Sequence, residues 1–317
     1  MSLPFFSVII PTYNRSILCK RAIYSVLNQS YRNFECIVVD DCSTDDTLNV
    51  ISDTFGSSVI VHSLTRNSGG SSKPINTGVS ISNYEFVAFL DSDDYWSSDR
   101  LMLIADLILK SDKNIGLFYS SSIILGRKAI MPRIVPAYID GYIYPQILNE
   151  NIIGIASRVI VKREIFLKSS GFDENIYMDN DWDCWIRICR ITNVRSFLPI
   201  TVFYTENTDS ISTNAIKVIN GRHEFLKKIN TEKKIMLVEH KNYQFQLINL
   251  LFSRSNNKHA LELLIDLKFS FKKIFYILIS FIPSIILNNV YSFVSYFLYF
   301  KIRFIKSLKF SNNIKNN

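Results

Sequence analysis

The chain offers no disulfide framework. Its five cysteines (Cys19, Cys36, Cys42, Cys184 and Cys189) are odd in number and follow neither a CxxC nor a zinc-like spacing, so free thiols in a reducing compartment are expected. The first residues, Met1 to Phe6, lack the basic n-region of a secretory leader and run directly into a strand-like segment, so a cytoplasmic location is expected for the folded part. There is no internal repeat and no low-complexity linker. No uninterrupted apolar run reaches the roughly 20 residues a spanning helix needs. Acid is missing at one end, because no Asp or Glu occurs after Asp266.

What is present is a 317-residue chain, 48% hydrophobic, with enough apolar material for one substantial core and a smaller appendage. The net charge of +8 is unevenly spread: from Leu226 onward 15 Lys and Arg face 4 Asp and Glu, so this part carries +11 and the part before it −3. Beyond Asp266 the basic residues, from Lys268 to Lys315, flank an apolar, aromatic stretch. The run 274–287 is about 14 residues and is broken by Pro283, and the run 290–300 stops at Lys301. Interfacial helices on an anionic membrane surface are therefore expected, which would make the protein peripheral or monotopic at the cytoplasmic face of the cell membrane. Nucleic acid is not an expected partner, since the positive charge sits among Phe, Ile, Leu and Tyr rather than in a polar groove.

The first half alternates short β-branched runs (7–10, 35–39, 59–64 and 86–90) with helical patterns over residues 17–27, 47–55 and 75–81. That alternation predicts an α/β fold: a Rossmann-like, mostly parallel sheet with helices on both faces. From 115 to about 204 it breaks into mixed short strands and two helices, read as the second half of the same domain. The expected organisation is a domain over 1–215, a helical extension over 216–267 and a basic, membrane-associating helical tail over 268–317.

Polar groups gather after each strand, where open α/β sheets bind ligands. PTYNR (11–15) follows the first strand. VVDDCSTD (38–45) ends the second in two adjacent carboxylates, one more than helix capping needs, and one can accept a nucleobase N–H. NSGGSSKPINTG (67–78) combines glycines, Lys73 and a helix N-terminus, a setting that favours a diphosphate, although it is not a Walker loop. FLDSDDYW (89–96) empties a hydrophobic strand into a DxD whose hard oxygens suit Mg²⁺ or Mn²⁺. GFDE (171–174) and DNDWDCWIR (179–187) place three alternate carboxylates beside two tryptophans, which suggests a substrate pocket.

In this order the motifs resemble the family 2 inverting glycosyltransferases of the GT-A fold, bacterial surface-polysaccharide type, over about residues 5–212. The resemblance implies a nucleoside-diphosphate sugar donor, with a UDP-hexose expected, a divalent metal, and a glycan or lipid-linked acceptor. Carried over by position, Pro11, Tyr13 and Asp41 become nucleoside contacts, with Asp41 on the base. Asp91 becomes a donor carboxylate and Asp93 the metal ligand. The family's Glu-Asp pair falls on Asn180-Asp181, so Asp181 becomes the general base. Three positions depart from the pattern: Ile75 stands in place of Arg, which Lys73 partly replaces, Asn180 in place of Glu, and Asn207 in place of His. They motivate the alternative of a catalytically weak, glycosyltransferase-like binding partner in a membrane assembly.

Overall fold

The computed structural model describes residues 3–126, 132–206, 225, 289–290 and 292–303. The chain divides into two compact units, one of Met1–Ile124, Ile134–Thr205 and Lys301–Asn317, the other of Leu125–Arg133 and Glu206–Phe300. The expected boundaries at 215/216 and 267/268 lie outside the described residues, as does Asn207.

In the first unit, β1 (Phe6–Thr12), β2 (Phe34–Asp40), β3 (Ile60–Ser63) and β4 (Phe86–Phe89) arise where β-branched runs were read. They are separated by α1 (Ser16–Leu27), α2 (Thr47–Phe55) and α3 (Ser72–Ile81). After them come β5 (Tyr95–Trp96), α4 (Arg100–Leu109), β6 (Ile115–Leu125), β7 (Arg133–Val135), α5 (Tyr144–Ile147), β8 (Val159–Lys162), α6 (Arg163–Lys168), α7 (Asn180–Cys189) and β9 (Asn193–Thr205). The sheet order is β3-β2-β1-β4-β8-β6-β9-β5, with β7 on β6.

Alternation puts helices on both faces of the sheet. Phe6, Val8 and Ile10 of β1 share one buried cluster with Cys19, Ile23 and Val26 of α1, Ile51 of α2 and Leu101 and Ile104 of α4. On the other face Ile9 meets α3 so closely that a Cβ on Gly78 would lie 2.4 Å from its Cγ2, so this glycine serves helix–sheet packing. Phe89 packs there against Phe166, Phe172 and Trp185 at ring distances of 5.3, 5.8 and 6.1 Å.

The sheet is mixed, not mostly parallel. β3, β2, β1 and β4 run parallel, whereas β8 is antiparallel to β4 and to β6, and β5 to β9. Parallel neighbours require a long crossover. The chain instead enters β8 from a single 3-10 turn, Ala156–Arg158, that is tied to the carboxyl end of β4, so β8 must run back along it. β6 and β9, at 11 and 13 residues, are also longer than the short strands expected. Serines hide β6 in the sequence: Ser120, Ser121 and Ser122 are buried. Arg100 donates to Ser120 Oγ, Arg158 Nε to the Ser120 carbonyl (2.6 Å) and the Ala137 N–H to Ser121 Oγ (2.9 Å).

Beyond the first unit's core, residues 289–290 and 292–303 are helical. Val290, Phe293, Val294, Phe297 and Leu298 form an exposed apolar stripe along this helix. No helix among the described residues is long and apolar enough to cross a membrane.

Candidate functional site

The turns after β1, β2 and β4 converge at one sheet edge, since the parallel register sets Thr12 beside Asp40 and Ile9 beside Phe89. Asn14 joins the first two. Its N–H donates to Ser43 Oγ (2.9 Å) and its Oδ1 accepts from the Thr44 N–H (2.8 Å), which is possible because Asn14 takes a left-handed φ of 50°. Asp40 accepts the Ser43 N–H (2.9 Å), so Asp40 braces its own turn. Ser43 and Thr44 are used for these loop-to-loop bonds, while Asp45 Oδ1 accepts the Thr47 N–H (3.0 Å) at the start of α2.

Asp41 is buried next to Cys42, whose φ of 64° is costly for a non-glycine residue. The Ser68 N–H donates to both Asp41 carboxylate oxygens (2.9 and 3.0 Å), and Asn67 Nδ2 donates to its carbonyl (3.0 Å). The glycine loop is thereby fastened to the β2 turn. Pro11 is buried at the end of β1, and Tyr13 stands exposed beside it. Lys73 is half-buried in the first turn of α3, while Ile75 is in the core at 1% exposure, where it helps pack the helix on the sheet.

After β4 come three carboxylates in four positions. Asp94 is fully buried and takes the Ser157 hydroxyl (2.6 Å) and the Thr205 N–H (3.1 Å). Burial, with Asp91 and Asp93 nearby, pushes its carboxyl well above the usual range. Asp91 accepts from the same serine (3.4 Å) and rises to about 7, first through burial and then through Asp93. Asp93 is ion-paired with Arg15, and Arg21 donates to its carbonyl. Among the described residues no three His, Cys, Asp or Glu side chains are grouped to hold an ion by themselves. The chemistry of the turn nonetheless fits a hard divalent cation: carboxylate oxygens are clustered there, and burial first, then neighbouring charge, disfavours ionisation of Asp91 and Asp94.

The fourth contribution is α7. Asn180 Nδ2 donates to Ser72 Oγ (2.9 Å), which sets the start of α7 against the start of α3. Asp181 is partly exposed, and its Oδ1 accepts the Trp182 N–H (2.6 Å). Asp183 is committed elsewhere, accepting two N–H groups of Arg187 (2.9 and 2.6 Å). The two tryptophans beside these carboxylates are part of the packing. Both are buried, with Nε1 of Trp182 on the Ile147 carbonyl (2.6 Å) and Nε1 of Trp185 on the Gly154 carbonyl (2.8 Å), because their area is needed to anchor α7.

Sequence reasoning missed Ser157, Arg21 and Thr205, which hold the carboxylate turn from distant parts of the chain and belong to no motif. It also gave Asn14 and Arg15 no role beyond their place in PTYNR. A buried aspartate next to a DxD, such as Asp94, is a signal that some partner must exist, without saying which.

A poly(ribitol-phosphate) β-N-acetylglucosaminyltransferase, TarS of Staphylococcus aureus, is 34% identical over 181 residues, 56% of this chain and 30% of its own length. WfgD of Escherichia coli, named a UDP-Glc:α-D-GlcNAc-diphosphoundecaprenol β-1,3-glucosyltransferase, is 27% identical over 226 residues, 69% of this chain and 84% of its own length. Several other curated relatives are far longer, and the match spans only 22% of them. Among solved structures, a mannosyltransferase from Pyrobaculum calidifontis in complex with GDP-Man and Mn²⁺ superposes with a TM-score of 0.56 at 17% identity, covering 96% of this chain and 87% of that one, which shows the shared GT-A fold. The family model described as Glycosyl transferase family 2 matches residues 7–168, just over half of the chain, and the chain belongs to that family.

Proposed function

We propose that the chain transfers a hexose from a UDP-sugar to a hydroxyl of a glycan or lipid-linked acceptor, with inversion at the anomeric carbon, in the synthesis of a surface polysaccharide. The carrying observation is that, at the carboxyl ends of the parallel strands, Asp41 is tied to the loop that leads into α3, the start of α3 to the start of α7, and the carboxylate turn, through Arg15, to the β1 turn. Asp41, with Pro11 and Tyr13 beside it, would hold the nucleoside, since a carboxylate has acceptor sites beyond those used by the Ser68 N–H. Lys73 and the N-terminal N–H groups of α3 would face the diphosphate. Asp181 would take the proton from the acceptor hydroxyl as its oxygen bonds to the anomeric carbon and the bond to the diphosphate breaks. Asp93, with Asp91 beside it, would hold Mg²⁺ or Mn²⁺, and the cation would offset the charge growing on the departing diphosphate.

Support for the donor and acceptor classes comes from the relatives' names: a UDP-sugar and a diphosphoundecaprenol acceptor in WfgD, and Mn²⁺ beside a nucleotide sugar in the mannosyltransferase. The exposed apolar stripe of helix 289–303 and the basic residues around it support attachment to an anionic membrane, within an organisation of 1–215, 216–267 and 268–317. The test is mass-spectrometric detection of transfer or hydrolysis with a panel of UDP- and GDP-sugars, with Mn²⁺ and with EDTA, on the wild type and Asp93→Ala. Turnover of a UDP-sugar that EDTA and Asp93→Ala both abolish is expected. Full activity of Asp93→Ala would remove the metal reading. Binding without turnover of any donor would favour the second reading, a weak glycosyltransferase-like partner, for which Ile75 and Asn180 are the motivating departures.

A further inference from the structure

Arg15 stands at the mouth of α1, where its backbone N–H donates to Thr47 Oγ1 (2.9 Å). Its guanidinium is paired with the carboxylate of Asp93, and the two side chains are only 24% and 13% exposed. Arg21 has other attachments, to Thr205 Oγ1 (3.1 Å) and over the ring of Tyr95 at 4.8 Å. Among the described residues Asp93 is the one hydrogen-bonding partner of the Arg15 side chain. The carboxylate assigned to the metal is thus already held by a cation from the protein, in a place with little water to screen it.

A paired carboxylate is a poor ligand. To reach Asp93, a divalent ion must displace the guanidinium and leave it close to another positive charge, an arrangement that is unfavourable unless an anion joins it. Such an anion has a place in the reading above: Arg15 lies just past the carboxyl end of β1, in the loop joined to the β2 turn through Asn14, at the edge where the diphosphate held by Lys73 and the start of α3 would lie. Arginine suits the exchange, since its planar fork fits carboxylate and phosphate oxygens alike.

We propose that Arg15 is the resident counter-ion of Asp93, displaced by the divalent cation and taken over by the donor diphosphate, so that cation and nucleotide bind as a linked pair. This rests on the metal reading above. Linkage is reciprocal, so UDP should tighten Mn²⁺ by the same factor as Mn²⁺ tightens UDP.

The experiment is titration of Mn²⁺ into the full chain, followed by the electron paramagnetic resonance signal of the free ion, with and without UDP, for wild type, Arg15→Gln and Arg15→Lys. Far-UV circular dichroism confirms that each variant is folded. For the wild type, weak uptake alone and at least about tenfold tighter uptake with UDP are expected, within the usual span of such couplings. Arg15→Gln should bind Mn²⁺ without nucleotide more tightly than the wild type by a similar factor and lose most of the linkage. Arg15→Lys, which keeps the charge but not the fork, should fall between them. Either folded variant decides the matter: a nucleotide-free affinity no higher than the wild type's, with linkage unchanged, overturns the proposal. A wild type that takes up no Mn²⁺ even with UDP would instead remove the metal reading, and this inference with it.

Discussion

Asp181 and Asp183 are two residues apart on the same helix, and their surroundings assign them different work. Asp183 is 5% exposed and holds Arg187, which also donates to the Ser169 carbonyl, so it secures α7 to the segment before Gly171. Asp181 lies nearer the start of the helix and is partly open to solvent. Asp181→Asn is expected to bind UDP about as the wild type does and to lose turnover by about 100-fold or more, the usual scale for a general base. Asp183→Asn should melt earlier, because removing one member of a buried pair costs about 3–5 kcal/mol, while the folded fraction still turns over. Calorimetric UDP binding, single-turnover rates and thermal melts of both variants check this, and a dead but stable Asp183→Asn would shift the base to position 183.

At the level of elements, the end of β4 buries carboxyl groups close to one another, and burial first, then their mutual repulsion, disfavours the charged form of Asp91. Asp91 is raised from 3.8 to about 7, so folding favours its protonated form. The stability this contributes is complete below about pH 4 and is lost as the pH climbs to about 7. In EDTA, the wild type should therefore melt at progressively lower temperature across that window. Asp91→Asn should flatten the decline and melt higher at pH 8, by about 2–4 °C for each kcal/mol relieved. Scanning calorimetry over pH 4–8 reads this directly, and an unchanged slope would count against it. The left-handed backbone at Asn14, Cys42 and Asp179 lies in the same set of turns, as strain commonly does at functional sites.

For the whole molecule, function depends on what covers the apolar stripe of the helical residues 289–290 and 292–303. Phe293 and Phe297 are 66% and 68% exposed, and Lys301 lies one turn further on the same face. Burying two such rings in a lipid interface is worth about 1.5–3 kcal/mol each, and each nearby lysine adds about 1 kcal/mol on an anionic surface. Phe293→Glu/Phe297→Glu should thus weaken binding to phosphatidylglycerol vesicles by about 100-fold or more while leaving donor hydrolysis intact. Sedimentation with vesicles measures it, and undiminished binding would refute the membrane reading of the tail.

The sequence alone determined the four parallel strands and their crossovers, because each is a local pattern: apolar alternation or helical spacing, ended by a polar turn. It also marked the ends of β2 and β4 as the place for Asp41, Asp91 and Asp93, since carboxylates follow directly after those buried runs, and the start of α3 as the place for Lys73. Only the tertiary structure decided the mixed order beyond β4, the buried serines of β6, and the partners of the carboxylates. Ser157 and Thr205 reach Asp94 across 63 and 111 positions. Arg15 reaches Asp93 across 78. Such contacts leave no periodicity, because what fixes them is the need of a buried charge for a partner, and that need can be met from anywhere along the chain.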